Sequence, residues 1–308
     1  MVAERTGGAA HEVHIHPLVT MDGLRGCELL QQQVWAYADR EIVPAAQMRA
    51  ALHAGALVAG AFLGREHVGF LYGFPALPHE EGLMGVGMHS HMLAVRPEAR
   101  GMGIGRALKW YQRRWCRERG IRWVSWTFDP LQARNAHLNL ERLGAIVHEY
   151  QVDFYGVLGG HLSGTLPTDR FVAMWWLEHD RVERRARSDP AAAIAGGSDV
   201  LEIGERAERP RATDPGDRAW ILEAGPDDDP GAQHDERQES EVWLAAPRDV
   251  SRLRAHVPEI ALSWREAYKR LVPAYLARGY EVRGFVDGAY VLSDRRLQPP
   301  RREVESET

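Results

Sequence analysis

His89-Ser-His-Met-Leu-Ala-Val-Arg-Pro-Glu-Ala-Arg-Gly-Met-Gly-Ile-Gly105 changes character halfway along. Up to Val95 it alternates as a strand does, and Pro97 then stops the strand. Glycines at 101, 103 and 105 make a turn that opens directly into the helically spaced run Arg106 to Arg117. Such a junction suits an anion. The first N–H groups of a helix lack intrahelical acceptors, the macrodipole adds partial positive charge there, and glycines remove the Cβ atoms that would hold a phosphate away.

Other phosphate loops fit less well. A dinucleotide-binding G-x-G-x-x-G needs a third glycine where this chain has Arg106 or Leu108, and no Gly-Lys-Ser/Thr of a P-loop follows. Asp129 does close the next strand, roughly where a ribose-binding acid sits in dinucleotide folds, so that alternative stays open, as does a turn that binds nothing.

The order Val95-x-Pro97-x-x-Arg100-Gly101-x-Gly103-Ile104-Gly105 resembles the acyl-CoA-binding motif of the GNAT superfamily of N-acyltransferases. The resemblance implies that Arg100, Gly101, Met102, Gly103, Ile104, Gly105 and Arg106 hold the CoA pyrophosphate. It also implies that Leu93, Ala94 and Val95 lie along pantetheine, with backbone amides there facing a developing oxyanion. Acetyl-CoA or another acyl-CoA is then the co-substrate.

Outward from the loop, the pattern predicts a mixed α/β chain. Residues 12 to 18 read as a strand, Met21 to Tyr37 and Pro44 to His53 as helices, and Ala56 to Phe74 as a hairpin turning at Gly64-Arg-Glu. After the glycine helix come a strand over 122 to 128, a helix from Asp129-Pro130 to Leu143, and a strand over 146 to 155. This order resembles the GNAT scaffold over residues 12–156, taken as the acyltransferase domain. Residues 157–204 are expected to add a strand at 169 to 178, a charged helix at 181 to 187 and a linker at 191 to 199. Residues 205–241, dominated by proline, aspartate and glutamate, are expected to be an acidic mobile loop. Residues 242–295 return to strand, helix and hairpin as a C-terminal α/β lobe without a phosphate loop of its own; Tyr275-Leu-Ala-Arg-Gly-Tyr-Glu-Val within it looks like the closing helix and strand of an acyltransferase fold.

A net charge of −5 over 308 residues argues against a nucleic-acid surface, and 44% hydrophobic content supports a substantial core. Cys27 and Cys116 fit a reducing compartment better than a disulfide framework. No window is apolar enough for a membrane span and the N-terminus lacks a signal-peptide pattern, so a cytoplasmic protein acting on a small-molecule amine is expected, with room for a homodimer.

Attack on a thioester needs a neutral amine. For an alkylamine at pH 7, neutrality costs about 4 to 5 kcal/mol unless a base takes the proton. His89 and His91 lie two apart, hence on one face of their strand, and the run around them is similar to that of arylalkylamine N-acetyltransferases, where histidines at these positions remove the proton. The same pair could be structural or could begin a zinc site, but no third ligand stands at a diagnostic spacing, so no metal is assigned. Where many GNAT members carry a tyrosine four residues before the glycine that ends the helix after the fifth strand, this chain has Leu140. Another donor, Tyr150, Tyr155 or solvent, must then protonate the thiolate. Asn135 and Asn139 lie one turn apart where that helix would face pantetheine, and Arg134 could meet a carboxylate. The expected function is acyl-CoA-dependent transfer of an acetyl or small acyl group to a primary amine, with an amino acid as one acceptor class. The alternative is a CoA-binding regulatory module without turnover.

Overall fold

The computed structural model describes residues 11–78, 83–156, 167–192, 200–203, 218–225, 228–234 and 237–297. Strand β1 (His11–Pro17) and helices α1 (Met21–Trp35) and α2 (Ala45–His53) precede the hairpin of β2 (Leu57–Leu63) and β3 (Glu66–Ala76). Then come β4 (Gly87–Val95), α3 (Ile104–Arg117) and β5 (Trp123–Phe128). Helix α4 (Ala133–Ala136) runs straight into π turns over His137–Arg142, and β6 (Ile146–Gln151), β7 (Arg170–Trp176) and α5 (Asp180–Ser188) follow. The rest comprises β8 (Val200–Ile203), β9 (Trp220–Ala224), β10 (Pro230–Gln233), β11 (Glu241–Ala245), α6 (Val250–His256), α7 (Pro258–Ala277), β12 (Tyr280–Val286) and β13 (Ala289–Asp294). These described strands join in one mixed sheet, in the order β10-β9-β11-β13-β12-β6-β7-β5-β4-β3-β2-β1-β8.

Helices cover both faces. Leu24, Cys27 and Leu30 of α1 and Met48 of α2 pack on Val58, Phe70, Tyr72 and Met92 on one side. On the other, α3 sets Ala107, Leu108 and Trp110 against Leu71, Met88 and Trp175. Trp110, Trp123 and Trp175 are fully buried, and truncating any one of them to alanine should cost about 3–5 kcal/mol. Thr20 caps α1 by accepting from the Gly23 amide at 3.3 Å, and the Asp287-Gly288 turn of the last hairpin has φ of 52° and 80°, as a two-residue reverse turn requires.

Three expectations need correction. The strand at 170–176, read as part of an extension, lies inside the sheet between β5 and β6. The acidic stretch 205–241 is not simply a loop: Trp220-Ile-Leu and its neighbours form β9, which pairs with β11 and β10, because Ile221 and Leu222 bury completely. Residues 205–217, 226–227 and 235–236 of that stretch, and 193–199 of the expected linker, lie outside the described residues. Finally, Asp129-Pro130 does not begin the next helix, which starts at Ala133; the Asp129 carboxylate bonds the Leu131 amide and two arginines of the C-terminal region.

The far half of the sheet repeats the near half. β4 and β5 are parallel, as are β9 and β11. After β5 the strands lie in the order β5-β7-β6, and after β11 in the order β11-β13-β12. The two triplets meet edge to edge where β6 pairs with β12 at Val147↔Val282.

Candidate active site

Strands β4 and β5 hold parallel register only at Met88↔Val124 and His89↔Ser125, after which they separate. The reason lies on β4's other edge. Tyr72 pairs with Met92 but Gly73 pairs with Ser90, so His91 is an inserted residue without a β3 partner. A bulge of this kind bends its strand, and the β4 backbone from Ser90 onward has no β5 partner.

A side chain stands on the α3 side where this pairing ends. Lys109 Nζ donates to Ser90 Oγ at 3.1 Å and to Gln112 Oε1 at 2.8 Å, and lies 3.7 Å from the centre of the Trp126 ring. Ser90 and Trp126 are the first residues beyond the last β4–β5 pair. Burial pushes the Lys109 ammonium down to about 7.

The glycine turn joins the unpaired end of β4 to α3. Gly101 and Gly103 have φ of 86° and 80°, where a side chain would be strained. Gly103 is the N-cap of α3 with no side-chain cap, and the first helical bond runs from the Ala107 amide to its carbonyl at 3.0 Å. The amides of Ile104, Gly105 and Arg106 therefore lack intrahelical acceptors. Gly105 is different: its φ is not positive, and an added Cβ would meet Val95 and Leu93 only in ordinary contact at 3.7 and 3.8 Å. Neither backbone nor packing demands glycine there, and the donor set beside it, three amides without intrahelical acceptors, suits an anion such as a pyrophosphate. Arg100 Nε donates to the Val95 carbonyl at 3.2 Å and ties the turn to the strand. The Arg106 guanidinium turns away to Asp189 at 3.3 Å, so this residue offers its amide rather than its charge. Met102 is partly buried against the core, as are Leu93 and Val95.

The paired histidines do share a face. Their rings are 6.2 Å apart, and Phe74 lies 5.4 Å from His89 and 5.7 Å from His91. His89 Nδ1 is 3.3 Å from Ser125 Oγ. Burial lowers the pKa of His91, which keeps that imidazole neutral at pH 7.

Other predicted residues fall elsewhere. Tyr150 donates to Asp169 Oδ2 at 2.6 Å, and burial, followed by that bond, pushes its hydroxyl far up. Its ring packs on Phe171 near Arg265 of α7, so it stands at the joint with the C-terminal half and not beside the histidines. Leu140 is fully buried and gives the site no donor. Asn135 is exposed while Asn139 is buried, so the two do not present a common face to a ligand. Arg134 is exposed. Asp129 is unsuited to a ribose: burial acts to raise its pKa, yet Arg265, Arg254 and Arg170 together hold it below the ordinary value. Among the described residues no three His, Cys, Asp or Glu side chains gather to hold a metal, and no helix is long and apolar enough to cross a membrane.

Sequence reasoning missed Lys109, Ser125 and Arg170. The first hides in a charged helix that reads as solvated, and the other two gain meaning only from strand pairing.

Residues 21–145 match the acetyltransferase (GNAT) family model. No curated protein sequence matches the chain significantly. Among solved structures, a GNAT-family acetyltransferase from Desulfovibrio desulfuricans is 18% identical, with 54% of this chain and 99% of that one covered at a TM-score of 0.42. The ribosomal-protein-S18-alanine N-acetyltransferase of Escherichia coli is 15% identical, with 54% and 94% covered at a TM-score of 0.42. An aminoglycoside 6'-acetyltransferase type Ii is 18% identical, with 53% and 96% covered at a TM-score of 0.41.

Proposed function

The chain carries a GNAT-family domain over residues 21–145, and from that premise we propose that it transfers an acetyl or small acyl group from acyl-CoA directly to the nitrogen of a primary amine. The observation that carries this reading is the end of β4–β5 pairing after His89↔Ser125, with the unpaired remainder of β4 leading into the uncapped start of α3. The loop amides of Ile104, Gly105 and Arg106 would hold the pyrophosphate, and the unpaired edge of β4 past Ser90 would bond pantetheine as a neighbouring strand would.

In the reaction the amine nitrogen bonds to the thioester carbonyl carbon, the carbon–sulfur bond breaks, the ammonium proton passes to a base, and the departing sulfur gains a proton. His91, held neutral by burial, or His89, held against Ser125, takes the ammonium proton. CoA thiolate is a fair leaving group, with a pKa near that of cysteine, so solvent suffices to protonate it in place of the tyrosine that Leu140 replaces.

Leu140 also favours a second reading, a CoA-binding regulatory module without turnover. Free CoA release from acetyl-CoA against an amine panel separates the two. Release that depends on the amine supports transfer, whereas tight CoA binding with no release under any amine would leave only the module.

A further inference from the structure

Along β7, Arg170, Val172 and Met174 face the same side as Ser125 and Thr127, because Thr127↔Val172 and Ser125↔Met174 are antiparallel partners and partners share a face. That is the histidine side of the sheet, since His89 contacts Ser125 there. Arg170 stands just past the last β5–β7 pair, Phe128↔Phe171, at the carboxyl end of β5, where crevices of open α/β sheets receive ligands.

Its surroundings are built but incomplete. The guanidinium carbon is 5.2 Å from the ring centre of Tyr155, whose hydroxyl lies 3.1 Å from Thr127 Oγ1. Tyr37, from the connection between α1 and α2, is close enough to feel the Arg170 charge. Arg170 Nε is buried with no hydrogen-bond acceptor, and among the described residues the side chain makes no ion pair. The two nearby carboxylates are already engaged. Asp129 takes the Leu131 amide and Arg265 on one oxygen and Arg254 on the other. Asp169 takes the Asp153 amide on one and the Tyr150 hydroxyl on the other. A partly buried guanidinium without an acceptor is costly, and its planar fork matches a carboxylate.

We propose that Arg170, framed by Tyr37 and Tyr155, receives a carboxylate of the acceptor, which makes the acceptor an amino acid whose amine points to His89 and His91. The inference rests on the acyltransfer reading and narrows its substrate. From Ser125 to the level of Arg170 is four residues of strand, about 13 Å, and the arginine and histidine side chains reach in from the two ends.

The test uses the full chain, loaded with CoA, and the series glycine, β-alanine, 4-aminobutyrate and 6-aminohexanoate, each beside its amide. Calorimetry should show at least one amino acid binding roughly 10- to 100-fold more tightly than its amide. Arg170→Gln should erase that difference with CoA affinity and amide binding unchanged, and Arg170→Lys should restore part of it. In turnover, Arg170→Gln should raise KM for the amino acid far more than it lowers kcat. Equal binding of acid and amide, no binding by any acid, or discrimination that survives Arg170→Gln would overturn the proposal. Turnover of the amides without discrimination would spare the acyltransfer reading while removing this one; discrimination in binding with no CoA release from acetyl-CoA would do the reverse.

Discussion

The two parallel strand pairs of this sheet have the same neighbours and opposite fates. Between β4 and β5 the chain makes a glycine turn and a helix; between β9 and β11 it makes β10, a short strand that pairs back on β9. At the first pair the strands stop pairing after His89↔Ser125, and the amides at the start of α3 lack intrahelical acceptors. At the second, Trp220 and Trp243 lie 6.1 Å apart, with the Arg218 guanidinium 4.0 Å from the Trp243 ring and bonded to Asp287. Even the tyrosine position inverts: Tyr275 stands four residues before Gly279, where Leu140 stands before Gly144, but its hydroxyl is spent on the His234 carbonyl at 3.0 Å. On the proposed reading, one topology supports a site only where the connection between its parallel strands supplies unsatisfied amides.

Several changes would break or sharpen that contrast. The largest effect on CoA binding should come from Gly105→Ala. Because the added Cβ meets only ordinary contacts, stability should hold within about 0.5 kcal/mol, while CoA affinity, read by calorimetry, should fall on the order of 100-fold because the Cβ holds the pyrophosphate away. A matching loss of melting temperature would mean that Gly105 serves the fold instead.

His89→Ala and His91→Ala come next. The histidine that acts as base should lose about 100-fold in rate at pH 7 and much less at pH 9.5, where more of the amine is already neutral. An equal loss at both pH values would contradict a role in proton removal.

Lys109 links the first strand pair to stability. Its folded pKa of about 7 lies below the usual 10.5, so between those values the unfolded chain holds more protons and stability should rise with pH, by up to about 5 kcal/mol. Lys109→Met should flatten that rise in denaturant titrations at pH 7 and pH 9.5. An unchanged slope would show that the ammonium stays charged inside its hydrogen bonds.

The smallest effect belongs to the C-terminal half of the sheet. Tyr275→Phe should cost about 1 kcal/mol of stability and leave CoA release untouched.

Much of this contrast can be read in the chain itself. The positive φ angles at Gly101 and Gly103 are local demands, and the strand and helix on either side are patterned at their own periods, so the loop is visible without a structure. The face shared by His89 and His91 survives the bulge beside it. Strand β7 was misplaced for a different reason: its apolar run shows that it is buried, but only long-range pairing decides that it fills the gap between β5 and β6. Arg170 is the extreme case. Nothing near it in sequence distinguishes it from other arginines, and its meaning comes from two carboxylates, forty residues apart, that are both already satisfied. Lys109 was masked by the charges of Arg106 to Arg117, although Lys109, Gln112 and Arg113 are in fact buried.

Hydrogen exchange measured with and without CoA tests the central claim most directly. Slowed exchange is expected at the amides of residues 91–106, with no change in the second strand pair at 220–224 and 241–245. Protection of the second strand pair, or none at the first, would contradict it.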